Sequence, residues 1–477
     1  MLIFFACVAM LLAGYFLYGT LVDRIFGSDP NRPTPVQTLA DGVDYVAMSP
    51  RKIFLIQLLN IAGLGPIFGP ILGALYGPSA LLWIVIGSIF AGAVHDYFSG
   101  MLSIRHEGKS IPDVVGVQLG TGFKQFMRLF SIVLLLLVGV VFVLGPAKLL
   151  GNMTGWAVPL WVAIIFAYYF LATILPINQI IGRIYPIFGA VLIFMAVGLT
   201  AALMLQGYDL FPQMTLANIN PKGLPMWPLM FITIACGAIS GFHATQSPLM
   251  ARCVTNEKQG RFLFYGAMIG EGIIALIWAT LGMSFYHGSE ALNAALGQGG
   301  PAFVVNQIST TLLGPVGGVL AIIGVVLLPI TSGDTAFRSA RLIIADFINL
   351  PQKAAIKRLA LAIPLFLVGF LISQGEFGVI WRYFGWANQT LATIVLWTGA
   401  AYLIKEGKLH WIATVPATFM SAVSVTYLAY DKIGFGIPLT ISTAIGVLAA
   451  ATFLALFLIK FRSSALTAEA AADSDAA

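Results

Sequence analysis

The chain has 477 residues, of which 59% are hydrophobic and 9% charged, with a formal net charge of +6 and a mean hydropathy of +0.93. No soluble domain of ordinary size hides that much apolar surface. Apolar runs of about 20 residues match a hydrocarbon core roughly 30 Å thick, so the composition excludes a soluble enzyme and implies an all-α polytopic membrane protein.

A spanning β-barrel would show alternating segments of about ten residues, whereas the runs here are long and unalternating. Windows of about 19 residues predict helices at 2–22, 53–76, 79–103, 129–150, 157–175, 184–206, 227–250, 262–287, 314–345, 358–373, 379–404, 410–429 and 437–460. That makes thirteen, with 301–313 a short helix outside the bilayer. The first run lacks a basic leader and a clear small-residue cleavage pattern, so it reads as a span. Residues 23–52 form the one long polar connection, and 463–477 read as a disordered cytoplasmic tail. One transmembrane domain therefore covers 1–462: a first helix and loop (1–52), five helices in 53–206, five in 227–404, and two more in 410–460.

With the N-terminus outside and the C-terminus cytoplasmic, 21 of the 25 Lys and Arg fall on the cytoplasmic side, as topology signals require. The positive charge then needs no nucleic-acid partner. Cys7, Cys236 and Cys253 are an odd number without metal-ligand spacing and read as small buried hydrophobes.

Two predicted spans are interrupted. "NIAGLGPIFGPILGALYGP", from Asn60 to Pro78, holds five glycines and three prolines, and in "FITIACGAISGFHATQSPLM", from Phe231 to Met250, Gly241 and Pro248 repeat the seven-residue interval of Gly63 and Pro70. Each interruption opens a set of five helices, and because five is odd the two sets run in opposite orientation, the pattern of an inverted repeat. Broken helices at matching positions are the best sequence pointer to a transporter's binding site, because unpaired main-chain groups at membrane depth must line a cavity or meet a ligand. Small residues also serve close helix packing. A scaffold of one, five, five and two helices is similar to the amino acid–polyamine–cation (LeuT-like) transporter superfamily.

The stretch "NIAGLGPIFGPILGALYGPSALLWIVIGSIFAGAVHDYFSGMLSIRHEGKSIPDVVG" (60–116), with "ISGFHATQSPLMAR" from Ile239 and "LPITSGDTAFRSARLIIAD" from Leu328, resembles the carbon starvation protein family, CstA. The resemblance implies a bacterial inner-membrane protein that takes up peptides or pyruvate when preferred carbon is scarce, with proton coupling. The chain is shorter than the long members of that family.

An ionisable group near the bilayer centre costs about 2.5–3.5 kcal/mol on insertion scales and is a functional candidate by default. Glu271, flanked by Gly270 and Gly272, is the first choice for a proton carrier, since a close neighbouring helix would desolvate its carboxyl; a proton-bearing carboxyl bonded between helices is the other reading. His95 and Asp96 form either a relay or an interfacial pair near the inner mouth with Arg105 and His106. Asp334 and Arg338, one turn apart, suit a static pair or a gate. Thr331 and Ser332 mark a possible cation site opposite a broken helix. For substrate contact the candidates are the backbone near Gly63 and Gly65, with Asn60, Ser240, His243, Thr245 and Gln246. Asn388 and Gln389 either complete that pocket or bond a neighbour, and His243 is either a titrating ring or a hydrogen-bond partner.

The sequence holds no H-E-x-x-H, G-x-S-x-G, C-x-x-C or Walker motif, so an enzyme has no recognisable support, and neither a cofactor nor a metal is implied. The leading expectation is a secondary active importer of a small molecule, coupled to protons or, alternatively, sodium. A channel or a nutrient sensor follows at a distance.

Overall fold

A computed structural model describes residues 2–42, 44–174, 177–210, 215–352 and 354–475, and among them every regular element is helical. Among the described residues each of the thirteen predicted stretches is mainly helical, with 53–76 and 227–250 broken within; residue 175 lies outside the described residues. Eight helices among the described residues are long and apolar enough to cross a membrane singly, and Pro50–Ile61 with Gly65–Tyr76 adds a ninth span, bent by 49°. Val158–Thr173 and Gly189–Leu205 are shorter apolar helices. In a bilayer the chain has little choice, because hydrocarbon offers no partner for a bare N–H or C=O and a helix satisfies both internally.

Ends and bends fall where the sequence supplies the chemistry. Pro50 opens the first broken helix at a position where its missing N–H costs nothing. Gly155, in the left-handed region at φ 72°, closes Thr121–Thr154 by donating its N–H to the Gly151 carbonyl. The expected span at 314–345 belongs to a longer helical run, Ser289–Phe347, that bends at Gly299, Gly300 and Gly314. Residues 301–313 are thereby set apart as a short segment of their own. The first span continues to Phe26, and the last helix runs from Leu439 to Asp475, through the segment read from the sequence as a tail.

Burial sorts the helices into layers. Windows within Ser79–Arg105 and Glu257–Phe285 are 83% and 78% buried, whereas those in Ala355–Ser373 and Leu439–Phe461 are 17% and 22% buried. The inner helices are largely apolar on every side, as a buried membrane helix must be, and they pack against the two broken ones. Both inner helices carry a π-helical turn, Ser88–Gly92 and Arg261–Tyr265, a local widening that recurs at functional sites.

Candidate substrate and proton site

The first break leaves carbonyls without their helical partners. Gly63 turns its N–H back to Ile61, 2.8 Å away, so the Leu59 carbonyl lacks the donor four residues on and instead accepts the Ser332 hydroxyl at 3.2 Å. Ser332 thus stands opposite the broken helix. Thr331 donates its hydroxyl to Leu328, one turn back along its own helix.

The second break is served by one neighbouring helix, Phe377–Lys405. Asn388 Oδ1 accepts the Phe242 N–H at 2.7 Å and the Ser240 hydroxyl at 3.2 Å, capping the helix Gly241–Ala251 from outside. Its Nδ2 donates to Cys236 Sγ at 3.3 Å, and Gln389 Nε2 donates to the Phe231 carbonyl, 3.3 Å away on the other side of the break. Gly241 has no room for a side chain, since a Cβ there would collide with the Asn388 carbonyl. Asn388→Ala is expected to cost about 0.5–2 kcal/mol, the usual value of a lost cap, read as a lowered thermal unfolding midpoint of the purified protein. An unchanged midpoint would mean that the cap contributes nothing.

The two breaks also pack on each other. Gly65, Gly69 and Gly73 lie on one face of their helix; a Cβ at Gly65 or Gly73 would collide with Cys236 or Ile234, and one at Gly69 would come within 2.8 Å of the Thr233 carbonyl. Gly63 lies under the Phe142 ring, where a Cβ would approach to 2.7 Å. These glycines therefore let the helix of the first break lie close against residues of the second, and at Gly69 against its main chain. Asn60 is buried in the last turn before the break.

Beside the second break four fully buried titrating groups meet. His95 Nδ1 lies 2.7 Å from Asp96 Oδ1, and His243 Nδ1 lies 2.8 Å from Asp96 Oδ2. On its far side His243 Nε2 is 3.1 Å from Glu271 Oε2, close enough for an ion pair but misaligned for a hydrogen bond. All four side chains have no solvent exposure. One imidazole is therefore set between two carboxyl groups, one ring nitrogen facing each. With His95 neutral and His243 protonated, the two carboxylates leave the cluster at a net −1, and one further proton makes it neutral. Burying an uncompensated charge costs several kcal/mol, so the neutral form is the cheaper one to bury. Among the described residues no group of three or more His, Cys, Asp or Glu is arranged to hold a metal ion.

Close packing around Glu271 matches the flanking glycines. A Cβ at Gly272 would come within 2.6 Å of the Ser88 hydroxyl, itself donated to the Gly237 carbonyl at 3.2 Å. Below the cluster, Ser99 donates to the Asp96 carbonyl and to Ser247, while Gln57 Nε2 also donates to Ser247. Gln246 Nε2 donates to Thr245 at 2.9 Å and to Ser339 at 3.4 Å, and the Thr245 hydroxyl turns back to the Phe242 carbonyl at 2.6 Å. Thr245 and Ser339 reach a small cavity that also touches Arg252 and Asp346.

One of the two sequence readings for His95 and Asp96 is corrected here. They do not sit at a mouth with Arg105 and His106: both are fully buried, because their helix turns them inward onto the second break. Arg105 forks instead onto Glu257, with Nε 2.9 Å from Oε1 and Nη2 3.1 Å from Oε2, while the His106 ring bonds the Leu102 carbonyl. Glu257 also accepts the Asp29 N–H at 2.8 Å, and the Arg105 guanidinium lies 4.0 Å over the Phe26 ring and bonds the Gly27 carbonyl and the Tyr402 hydroxyl. This clasp joins four segments at the basic end of the bundle. Sequence reasoning missed Glu257, since "TNEKQG" reads as a solvated loop.

Asp334 and Arg338 pair at 3.3 Å, one turn apart, as their spacing predicts. Their helix presses on Val158–Ile174, where Gly333 leaves room for Tyr169. The pair is thus separate from the His–carboxylate cluster.

A family profile for carbon starvation protein CstA matches residues 1–159, 146–314 and 287–427. The chain belongs to the CstA family. A membrane protein of Haemophilus influenzae is 51% identical over 352 residues, 63% of this chain and 95% of that one. The peptide transporter CstA of Bacillus subtilis is 28% identical and covers 89% of both chains. The pyruvate/proton symporter BtsT of Escherichia coli is 28% identical over 57% of this chain and 47% of its own length. Among solved structures, a mutant manganese transporter of Eremococcus coleocola superposes with a TM-score of 0.57 at 13% identity, covering 89% of this chain and 99% of that one. Mhp1, a nucleobase-cation-symport-1 family transporter in a closed conformation, gives 0.52 at 15%, covering 87% and 94%. At such identities the likeness is one of fold, and the fold is the LeuT-like one expected from the sequence. Where these CstA relatives and structural neighbours are named by function, they are named as transporters and not as enzymes.

Proposed function

We propose that this CstA-family protein is a secondary active importer of a small carboxylate nutrient, pyruvate or a related acid, or of a short peptide. It works by proton symport across the bacterial inner membrane, with the N-terminus outside and the C-terminus cytoplasmic, in the response to carbon starvation. The observation that carries the reading is the His243 ring held between Asp96 and Glu271 just after the second break, in the first turn of Gly241–Ala251. A buried cluster that is neutral with one proton and charged without it gives a proton a reason to travel with the substrate.

Substrate is taken between the two breaks, with donors from the backbone near Gly63 and Gly65 and from Asn60, Ser240, Thr245, Gln246 and Asn388. Glu271 carries the coupling proton, and His243, Asp96 and His95 hold it in place. Because the glycine face of the first break packs directly on the second, loading requires the breaks to part, with the five-helix units 53–206 and 227–404 rocking about them as inverted repeats. Asp334 with Arg338 then serves as a cytoplasmic-half gating pair. A sodium-coupled variant of the same cycle is kept in view by Ser332, whose hydroxyl faces the Leu59 carbonyl where a cation site would form.

The test is uptake by purified protein in proteoliposomes, using labelled pyruvate and labelled dialanine separately. Under proton symport at least one accumulates under an imposed pH difference, and a protonophore abolishes the accumulation. Accumulation that follows a sodium gradient and ignores the protonophore would favour the sodium variant, and non-saturating passive flux would mark a channel.

A further inference from the structure

Away from the breaks, a groove of about 470 Å³ lies between Phe377–Lys405, Trp411–Tyr430 and the peripheral helix that begins at Leu439. From Trp386 to Trp397, both on its wall, it extends about 16 Å along the helix axes at 1.5 Å per residue. Its inner surface is aromatic and aliphatic, with Trp397 tilted against Phe457 and Phe457 against Phe461, the ring centres of each pair 5.0 Å apart. The outer wall is open: Phe453 and Leu456 line the groove yet are 45% and 59% exposed, on a helix only 22% buried. In a membrane that opening faces acyl chains.

One end carries charge. Lys405 and Lys460 both lie 5.7 Å from the centre of the Phe461 ring, and Lys405 reaches back to bond the Gln118 carbonyl at 2.8 Å. Two ammonium groups near one ring concentrate positive charge at this end of the groove, and positive charge at headgroup level favours an anion. We infer that this groove is a binding site for one anionic phospholipid, with an acyl chain along the aromatic wall and the phosphate between Lys405 and Lys460. The occupant is hydrocarbon because the groove opens sideways to the bilayer. It is anionic because the end at the headgroup level bears two lysines.

The site is distinct from the substrate path but shares a helix with it. Asn388 and Gln389 turn one face of Phe377–Lys405 to the second break, while Trp386, Thr390 and Thr393 turn another to the groove. The lipid therefore buttresses the helix that caps the break.

The experiment is photo-crosslinking and native mass spectrometry of the full chain with phosphatidylglycerol, against phosphatidylethanolamine as the zwitterionic control. The expected result is preferential retention of phosphatidylglycerol, about 10- to 30-fold from two lysines near a membrane surface, reduced to parity in K405Q/K460Q. A diazirine on the acyl chain should label peptides containing Trp397 or Phe457 in the wild-type protein, which requires no variant to fold. Equal retention of the two lipids overturns the proposal, as does an undiminished preference in the double variant or labelling confined to other helices. Crosslinks between two copies across the groove, without a lipid adduct there, overturn it too.

Discussion

Glu271→Gln is expected to lower accumulation driven by a pH gradient by about 5- to 150-fold, the usual range of a coupling free energy between two ligands, while substrate exchange between equal pools changes little. Glutamine fills the same volume between Gly270 and Gly272 and can still offer an oxygen to His243 Nε2, 3.1 Å from the present carboxylate. Packing against Ser88 is retained. What disappears is the exchangeable proton. Exchange returns loaded carrier to loaded carrier without cycling that proton, whereas net uptake against a gradient must release it. The measurement is paired uptake and counterflow of labelled substrate in the same vesicles. Equal loss of both activities, or loss of neither, would remove Glu271 from the coupling step.

Asp96→Ala is expected to destabilise the protein by about 3–5 kcal/mol, the cost of stripping one partner from a buried ion pair. Asp96 accepts from two imidazoles at once, 2.7 and 2.8 Å away, and both rings are sealed from water. Without the carboxylate, His243 faces Glu271 alone and His95 loses its Nδ1 partner. Asp96→Asn is expected to fall between wild type and Ala, because an amide can accept from one ring and donate to the other once a tautomer changes. The order wild type, Asn, Ala in thermal unfolding of the purified protein checks this. An Ala variant as stable as wild type would show that the cluster is not held by this carboxylate.

Much of the architecture could be read from the residues alone, because hydrocarbon permits so few backbone solutions. Long apolar runs located the helices, and paired Gly and Pro interruptions located both breaks. Asn388 and Gln389 were noticed as a polar pair in an apolar helix, but whether they met substrate or backbone depended on which way that helix faces. That facing was hidden for a physical reason: a helix apolar on every side carries no amphipathic stripe from which to read its rotation. The same blindness left His95 and Asp96 between two readings. Their partner His243 is 147 positions from Asp96 in sequence, and only tertiary packing brings it near. Glu257 was overlooked because its loop composition is that of a solvated connection, whereas the fold tucks it under Arg105 and Phe26.

The proposed symport requires a proton to enter with the substrate through the Asp96–His243–Glu271 cluster. Its most direct test loads proteoliposomes with a pH-sensitive dye and adds the transported substrate, pyruvate or dialanine, outside with no pH gradient imposed. The account predicts internal acidification by the wild-type protein, absent from Glu271→Gln vesicles that still exchange labelled substrate. Substrate influx without acidification in the wild type would contradict it.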